Sequence, residues 1–115
     1  MGLLNETTKK SKEEIMEVEI DLIENVLSSV MDPEIEIDIV NLGLIYELDY
    51  DGKNNVDILM TMSTPACPLS DAIVQSVKES IKQKYTDFIV NVEITFEPRW
   101  HAGLISDAGK ETLGM

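Results

Sequence analysis

A helical run set between two alternating runs fixes most of what this chain can fold into. From Leu69 to Lys84 the apolar residues Leu69, Ile73, Val77 and Ile81 recur every fourth position, with Ala72 beside them. That is the period of one helix face. Before it, within Asn55–Ser63, Val56, Ile58, Met60 and Met62 alternate with other residues; after it, Val90, Val92, Ile94 and Phe96 alternate with Asn91, Glu93, Thr95 and Glu97. Alternation at a period of two marks a half-buried strand. A helix that joins two strands of one sheet is a crossover, which makes those strands parallel.

The remaining segments fit around this unit. Ser11-Lys12-Glu13-Glu14 has the form of a capping box. Beyond it Ile15, Val18, Leu22, Ile23, Val26, Leu27 and Val30 keep helical spacing, and Glu17, Asp21 and Glu24 fall off the stripe. Met31-Asp32-Pro33 stops this helix, because the residue before proline resists the α conformation. Ile35–Val40 alternates and predicts a short extended piece, and Asn41-Leu42-Gly43 a turn or bulge. Leu44, Tyr46, Leu48 and Tyr50 then make a half-buried strand, and residues 51–54 carry hairpin-loop chemistry. Pro98 ends the last strand, since proline cannot donate to a ladder. Ser106–Leu113 is expected to form a short C-terminal helix capped by Ser106. The polar residues 1–12 read as a loose arm and residues 13–115 as a single domain. The order is helix, strand, strand, helix, strand. Each strand has one apolar face, so the helices should cover one side of a small mixed sheet. The expected fold is an α+β two-layer sandwich.

Bulk numbers exclude several functions. The chain has 115 residues, enough for one core, and its hydrophobic content of 43% is ordinary. Its 22 acidic against 9 basic residues give a net charge of −13. Nucleic acid and anionic membrane both require positive charge facing phosphate, so neither is an expected partner. A single cysteine rules out an internal disulfide framework. No apolar run approaches the ~20 residues of a membrane span, and the start of the chain lacks a secretory pattern. The expected location is cytoplasmic.

The topology gathers the polar loops. The first two strands form a hairpin and the third runs parallel to the second. The start of strand one and the ends of strands two and three therefore share one edge. Residues 32–43, 63–68 and 97–103 converge there. They contain Asp32, Glu34, Asp38, Asn41, Thr64, Cys67, Glu97, Arg99, Trp100 and His101. Cys67 precedes Pro68, which suits the first position of a helix. This puts the thiol at the N-cap, where free N–H groups and the helix dipole favour thiolate. Asp71 and the overall acidity oppose that effect, and a lone cysteine also suits an apolar core. Asp32 and Glu34 equally suit a turn cap, Thr64 a loop backbone, Trp100 a core lid, and His101 an exposed loop. The case for a site rests on convergence, with Cys67 as the functional cysteine or metal ligand. Asp32, Glu34, Asn41, Thr64 and Trp100 form its supporting edge; Glu97, Arg99 and His101 carry a weaker claim.

Four separated stretches carry a family likeness: Asp32-Pro33-Glu34, Ile39–Tyr46, Met62–Pro68 and Glu97-Pro98-Arg99-Trp100. In order and spacing the chain resembles the small iron–sulfur cluster assembly proteins typified by SufT. The PaaD-type phenylacetate-oxygenase accessory proteins and the cytosolic iron–sulfur targeting factors share that domain. The likeness covers about residues 14–115. It implies an α+β fold and a role in maturing iron–sulfur proteins as carrier, adaptor or targeting factor. The family's aspartate, glutamate and cysteine fall on Asp32, Glu34 and Cys67. Where the family often has Asp-Pro-Pro-Trp, this chain has Glu97-Pro98-Arg99-Trp100, and Ala66 stands where glycine is common.

Ligand chemistry narrows the mechanism. A stable cluster wants four ligands, mostly thiolates, and one chain offers one. The cofactor expectation is a transient cluster or iron, none held stably by one chain. Three arrangements remain open: a cluster shared across a homodimer, transient holding while an assembly protein or apo-client supplies the other ligands, or pure docking without metal. The rivals from other classes are a protein-binding scaffold and a cysteine enzyme with Cys67 as nucleophile and His101 as base. An assembly factor is the expected class, not an enzyme.

Overall fold

The computed structural model describes residues 11–32, 35–63 and 70–114. Helix α1, Lys12–Asp21, begins with the expected capping box: Ser11 Oγ accepts the Glu14 N–H at 3.2 Å and Glu14 Oε1 accepts the Ser11 N–H at 3.2 Å. Helical winding continues to Ser29, but with altered hydrogen bonding. Leu22–Val26 form a wider π turn and Leu27–Ser29 a tighter 3₁₀ turn. Ser28 Oγ donates to the Glu24 carbonyl at 2.5 Å and Ser29 Oγ to Val26 at 2.6 Å. Hydroxyls that bond back to carbonyls of the preceding turn compete with the helical ladder. The single α-helix expected up to Val30 is thus three kinds of winding in series.

Strands β1 (Ile45–Tyr50) and β2 (Asn55–Met60) are antiparallel; β2 and β3 (Ile89–Ile94) are parallel, joined through helix α2 (Ser70–Lys84). The sheet order is β1-β2-β3. Helix α3, Asp107–Leu113, ends the fold with Ser106 as its N-cap, as expected. The architecture is α+β with a small mixed sheet. The core lies between the helices and one sheet face: Leu22, Val26 and Leu27 meet Ile73, Val77 and Ile81 over Val56, Ile58 and Met60, all buried. Ala72, which the sequence puts beside the α2 stripe, is exposed. Leu69 lies outside the described residues. Among the described residues no helix is long and apolar enough to cross a membrane.

Polar side chains pin the end of the sandwich away from the loop edge. Glu19 Oε2 on α1 accepts the Tyr50 N–H at 3.0 Å, and Asp51 ties the hairpin by accepting from Lys53, Asn55 and the Asn55 carboxamide. These bonds, the Asn55 side chain foremost, pull the Asp51 carboxyl down to about 2. Asp21 joins α1 to the end of α2. It accepts from Lys84 Nζ at 2.8 Å, Tyr85 OH at 2.5 Å and Asn25 Nδ2 at 2.7 Å. The Lys84 bond first, then Tyr85 and Asn25, hold its carboxyl at about 2, and burial with the Asp21 charge pushes the Tyr85 phenol up to about 12. A carboxyl depressed in the fold stabilises it above the unfolded value and loses that contribution as pH falls toward the folded one. The Asp21→Asn variant is therefore expected to lose about 1–2 kcal/mol at neutral pH, a figure discounted for the half-exposed lysine. The difference from wild type should shrink steadily as pH falls from about 4 through 2. Urea titrations at several pH values test this; a difference undiminished at pH 2 refutes it.

Candidate functional site at the loop end of the sheet

The register puts three strand ends at the one edge that topology predicts. Ile45 pairs with Met60 and Met60 with Ile94, so the start of β1 and the ends of β2 and β3 lie in one row. The row extends one residue further: the Thr61 N–H donates to the Leu44 carbonyl at 2.8 Å, and the Thr95 N–H to Met60 at 2.9 Å. Segments 41–44, 61–63 and 95–101 leave from this end. Glu34, Thr64 and Cys67 lie outside the described residues; Ser63 leads toward the cysteine and Ser70 opens α2 behind it.

Asp32 is buried, 4% exposed. Its Oδ1 accepts the Ile35 N–H at 3.0 Å, and its own N–H donates to the Ile37 carbonyl at 3.0 Å. It therefore caps a turn, one of the two roles the sequence offers. The extended piece expected over Ile35–Val40 is instead a bend, touching extended structure only at the Met31–Asp38 bridge. The physical reason is local capture: Asp32 and Asp38 carboxylates take nearby N–H groups that a strand would have left for a ladder. Met31 beside Asp32 lines a cavity of about 150 Å³ with Ala72, Ile73 and Ser76. The Asp32 turn therefore adjoins the first turns of the helix that follows Cys67.

Asn41 is a fastener. Its N–H and Nδ2 donate to the two Asp38 oxygens at 2.9 and 2.8 Å, and its Oδ1 accepts from Ser106 Oγ at 2.6 Å. Its carbonyl accepts the Ser106 N–H at 2.8 Å, while Ser106 Oγ accepts the Gly109 N–H of α3 at 3.0 Å. Trp100 is half-buried against the core, and its indole N–H donates to the Leu42 carbonyl at 2.7 Å. Tyr46 OH donates to the Pro98 carbonyl at 2.7 Å. Residues 98–106 are therefore laid along residues 41–46 and held at intervals. This clasp carries Glu97, Arg99 and His101, all exposed, to the shared edge.

His101 is set for something other than base chemistry. Its Nδ1 accepts the Gly103 N–H at 3.1 Å as cap of the 102–104 turn. In the neutral ring this fixes the proton on Nε2, so no free lone pair remains for a nucleophile or a metal. Among the described residues, no group of three or more histidine, cysteine, aspartate or glutamate side chains is placed to hold a metal ion.

Sequence reading gathered Asp38 at this edge and named Ser106 as the cap of the last helix, but not that both hold Asn41. It missed Tyr46 and Thr61 as residues of this end. Thr61 had no signal; it is fully buried at the end of β2, and its hydroxyl finds no partner among the described residues.

Comparison with known proteins now bears on this end of the sheet. The family model described as "Iron-sulfur cluster assembly protein" matches residues 20–94, from the C-terminal part of α1 to the end of β3. The chain is 33% identical over 102 residues to the Fe-S protein maturation auxiliary factor of Porphyromonas gingivalis, covering 89% of this chain and 96% of that one. It is 37% identical over 89 residues to the Fe-S protein maturation auxiliary factor YitW of Bacillus subtilis, covering 77% and 87%. A solved Bacillus anthracis domain of unknown function, DUF59, superposes with a TM-score of 0.85 at 34% identity, covering 91% of this chain and 99% of that one. The match thus takes in all three strands, and with them the row from which the loops depart. This chain belongs to the iron–sulfur cluster assembly protein family.

Proposed function

We propose that the protein is an iron–sulfur protein maturation factor that works through the loop end of its sheet, with Cys67 as the ligand that takes up and gives away its cargo. The observation that carries this reading is the row Ile45–Met60–Ile94. The strand that leads toward Cys67 ends in that row, at the same end of the sheet as residues 41–44 and 95–101. The cargo, iron or a preformed cluster, moves by ligand exchange. Cys67 loses its proton to solvent, and its thiolate replaces one ligand on an iron atom. A client thiolate later replaces Cys67, which regains a proton, and no electron is transferred. A single thiolate is a weak, incomplete ligand set, which suits a carrier better than a storage site. The remaining ligands come from an assembly protein, a client, or a second copy of this chain. The family membership supports the maturation role, and the engaged Nδ1 of His101 counts against the cysteine-enzyme alternative.

Anaerobic reconstitution with iron and sulfide tests this, read by visible absorption and native mass. Wild type is expected to gain a sulfur-to-iron absorption band that the Cys67→Ser protein lacks. A band on a dimer identifies a shared cluster. Equal maturation of an apo-client by wild type and Cys67→Ser overturns the role of the cysteine.

A further inference from the structure

We infer that the open face of the sheet is a docking surface for a basic, amphipathic segment of a partner protein. The helices cover one face only. On the other, the register builds two rows. Glu47, Leu59 and Glu93 stand side by side across the strands, and next to them Asp49, Asp57 and Asn91. Together they line a concavity of about 340 Å³. Below the second row Ile89 faces the same way, beside Asn55, and is 52% exposed. The face therefore sets charge beside partly exposed hydrocarbon.

Asn91 Nδ2 donates to Asp57 Oδ1 at 3.1 Å, but among the described residues no cation pairs with the carboxylates of this face. The ion pair found among the described residues is Lys84–Asp21, between the helices. Asp49 and Asp57 sit directly opposite each other across the strands, a like-charge pair that costs stability. A chelated ion does not fit, because no group of three or more ligating side chains converges among the described residues. Spread positive charge does: Lys or Arg side chains flanking an apolar one reproduce in reverse the sequence acid–Leu59–acid. At a net charge of −13 the chain repels nucleic acid and anionic lipid, and this acidic face repels the same face of another copy, which leaves a basic protein segment as the occupant. This surface is separate from the loop end, so the inference stands without the Cys67 chemistry.

The test is an NMR titration of the ¹⁵N-labelled chain with a short synthetic peptide of lysine and leucine at helical spacing. Shift changes are expected at the amides of Glu47, Asp57, Leu59 and Glu93, with affinity falling roughly ten-fold when salt rises from about 50 to about 200 mM. The pair Glu47→Lys/Glu93→Lys is expected to weaken binding at least about ten-fold. Glu17→Lys/Glu24→Lys makes the same change of net charge on the first helix and should leave binding within about two-fold. All four positions are exposed, and circular dichroism verifies that each protein folds. Equal losses from both pairs reduce the effect to bulk charge and overturn the inference, as do shifts confined to another surface or no binding at all. Unchanged peptide binding by Cys67→Ser keeps this outcome separate from that of the maturation reading.

Discussion

Replacing Gly43 with alanine is expected to destabilise the protein by about 2–4 kcal/mol and to unseat the C-terminal segment. Two costs add. Gly43 has φ of +81°, which a residue with a Cβ adopts only at about 1 kcal/mol. The added Cβ would also lie 2.9 Å from Leu104 Cβ and 3.0 Å from its carbonyl carbon, with the carbonyl oxygen nearer still. Backbone cannot swing aside as a flexible side chain can, so residues 98–106 must lift. Gly114 is the internal control. It too has positive φ, 74°, yet nothing lies within 4 Å of where its Cβ would be. Gly114→Ala should therefore show only the conformational cost. Thermal unfolding and Trp100 fluorescence read both effects: the Gly43 variant should melt at least about 8 °C lower, with red-shifted emission before the main transition. A Gly43→Ala protein as stable as Gly114→Ala would show that the segment is not seated as described.

The second large effect is expected at Asp38. It is 9% exposed and accepts both the backbone and carboxamide N–H groups of Asn41. Asp38→Ala leaves those two donors without a partner. Bonds to a charged acceptor are worth about 1.5–3 kcal/mol each, and a stranded donor bears its own desolvation cost. A loss of about 2–3 kcal/mol follows, partly relieved by water entering at the rim. Because Asn41 also holds Ser106, the Asp38→Ala and Ser106→Ala effects should be non-additive, with a coupling of about 0.5 kcal/mol or more in a double-mutant cycle. Additive losses would mean that the two bonds act independently and that no network spans the loop and α3.

The topology was legible because periodicity reports which face is buried, and a crossover helix leaves little choice of strand direction. The alternation of Val56–Met62 and Val90–Phe96 and the every-fourth spacing of Ile73, Val77 and Ile81 therefore sufficed to bring the three loops to one end. The capping box at Ser11 and the N-cap at Ser106 were legible for a similar reason, since both are strictly local. Residues 35–40 misled because their alternation is real but serves a bend, with Asp32 and Asp38 diverting the N–H groups. The change in winding after Asp21 left no trace in the apolar stripe, which stays compatible with an unbroken α-helix. The clasp of residues 98–106 on 41–46 was hidden for a different reason. Its bonds join residues 52 to 65 positions apart through single side chains and carbonyls, which no pattern in either segment reveals. Cys67 stood out as the sole cysteine, and its place between strand and helix is a matter of sequence alone.

The clasp also bears on the order of events in folding. The β1–β2 hairpin pairs near neighbours, and α2 with β3 follows directly along the chain, so the sandwich can close through short connections. The loop end cannot: Leu42, Gly43 and Asn41 wait for Trp100, Leu104 and Ser106. Contacts between distant residues are made late because closing a long loop costs entropy first. A folding chain is thus expected to build most of its hydrophobic core before the clasped end of its sheet takes shape.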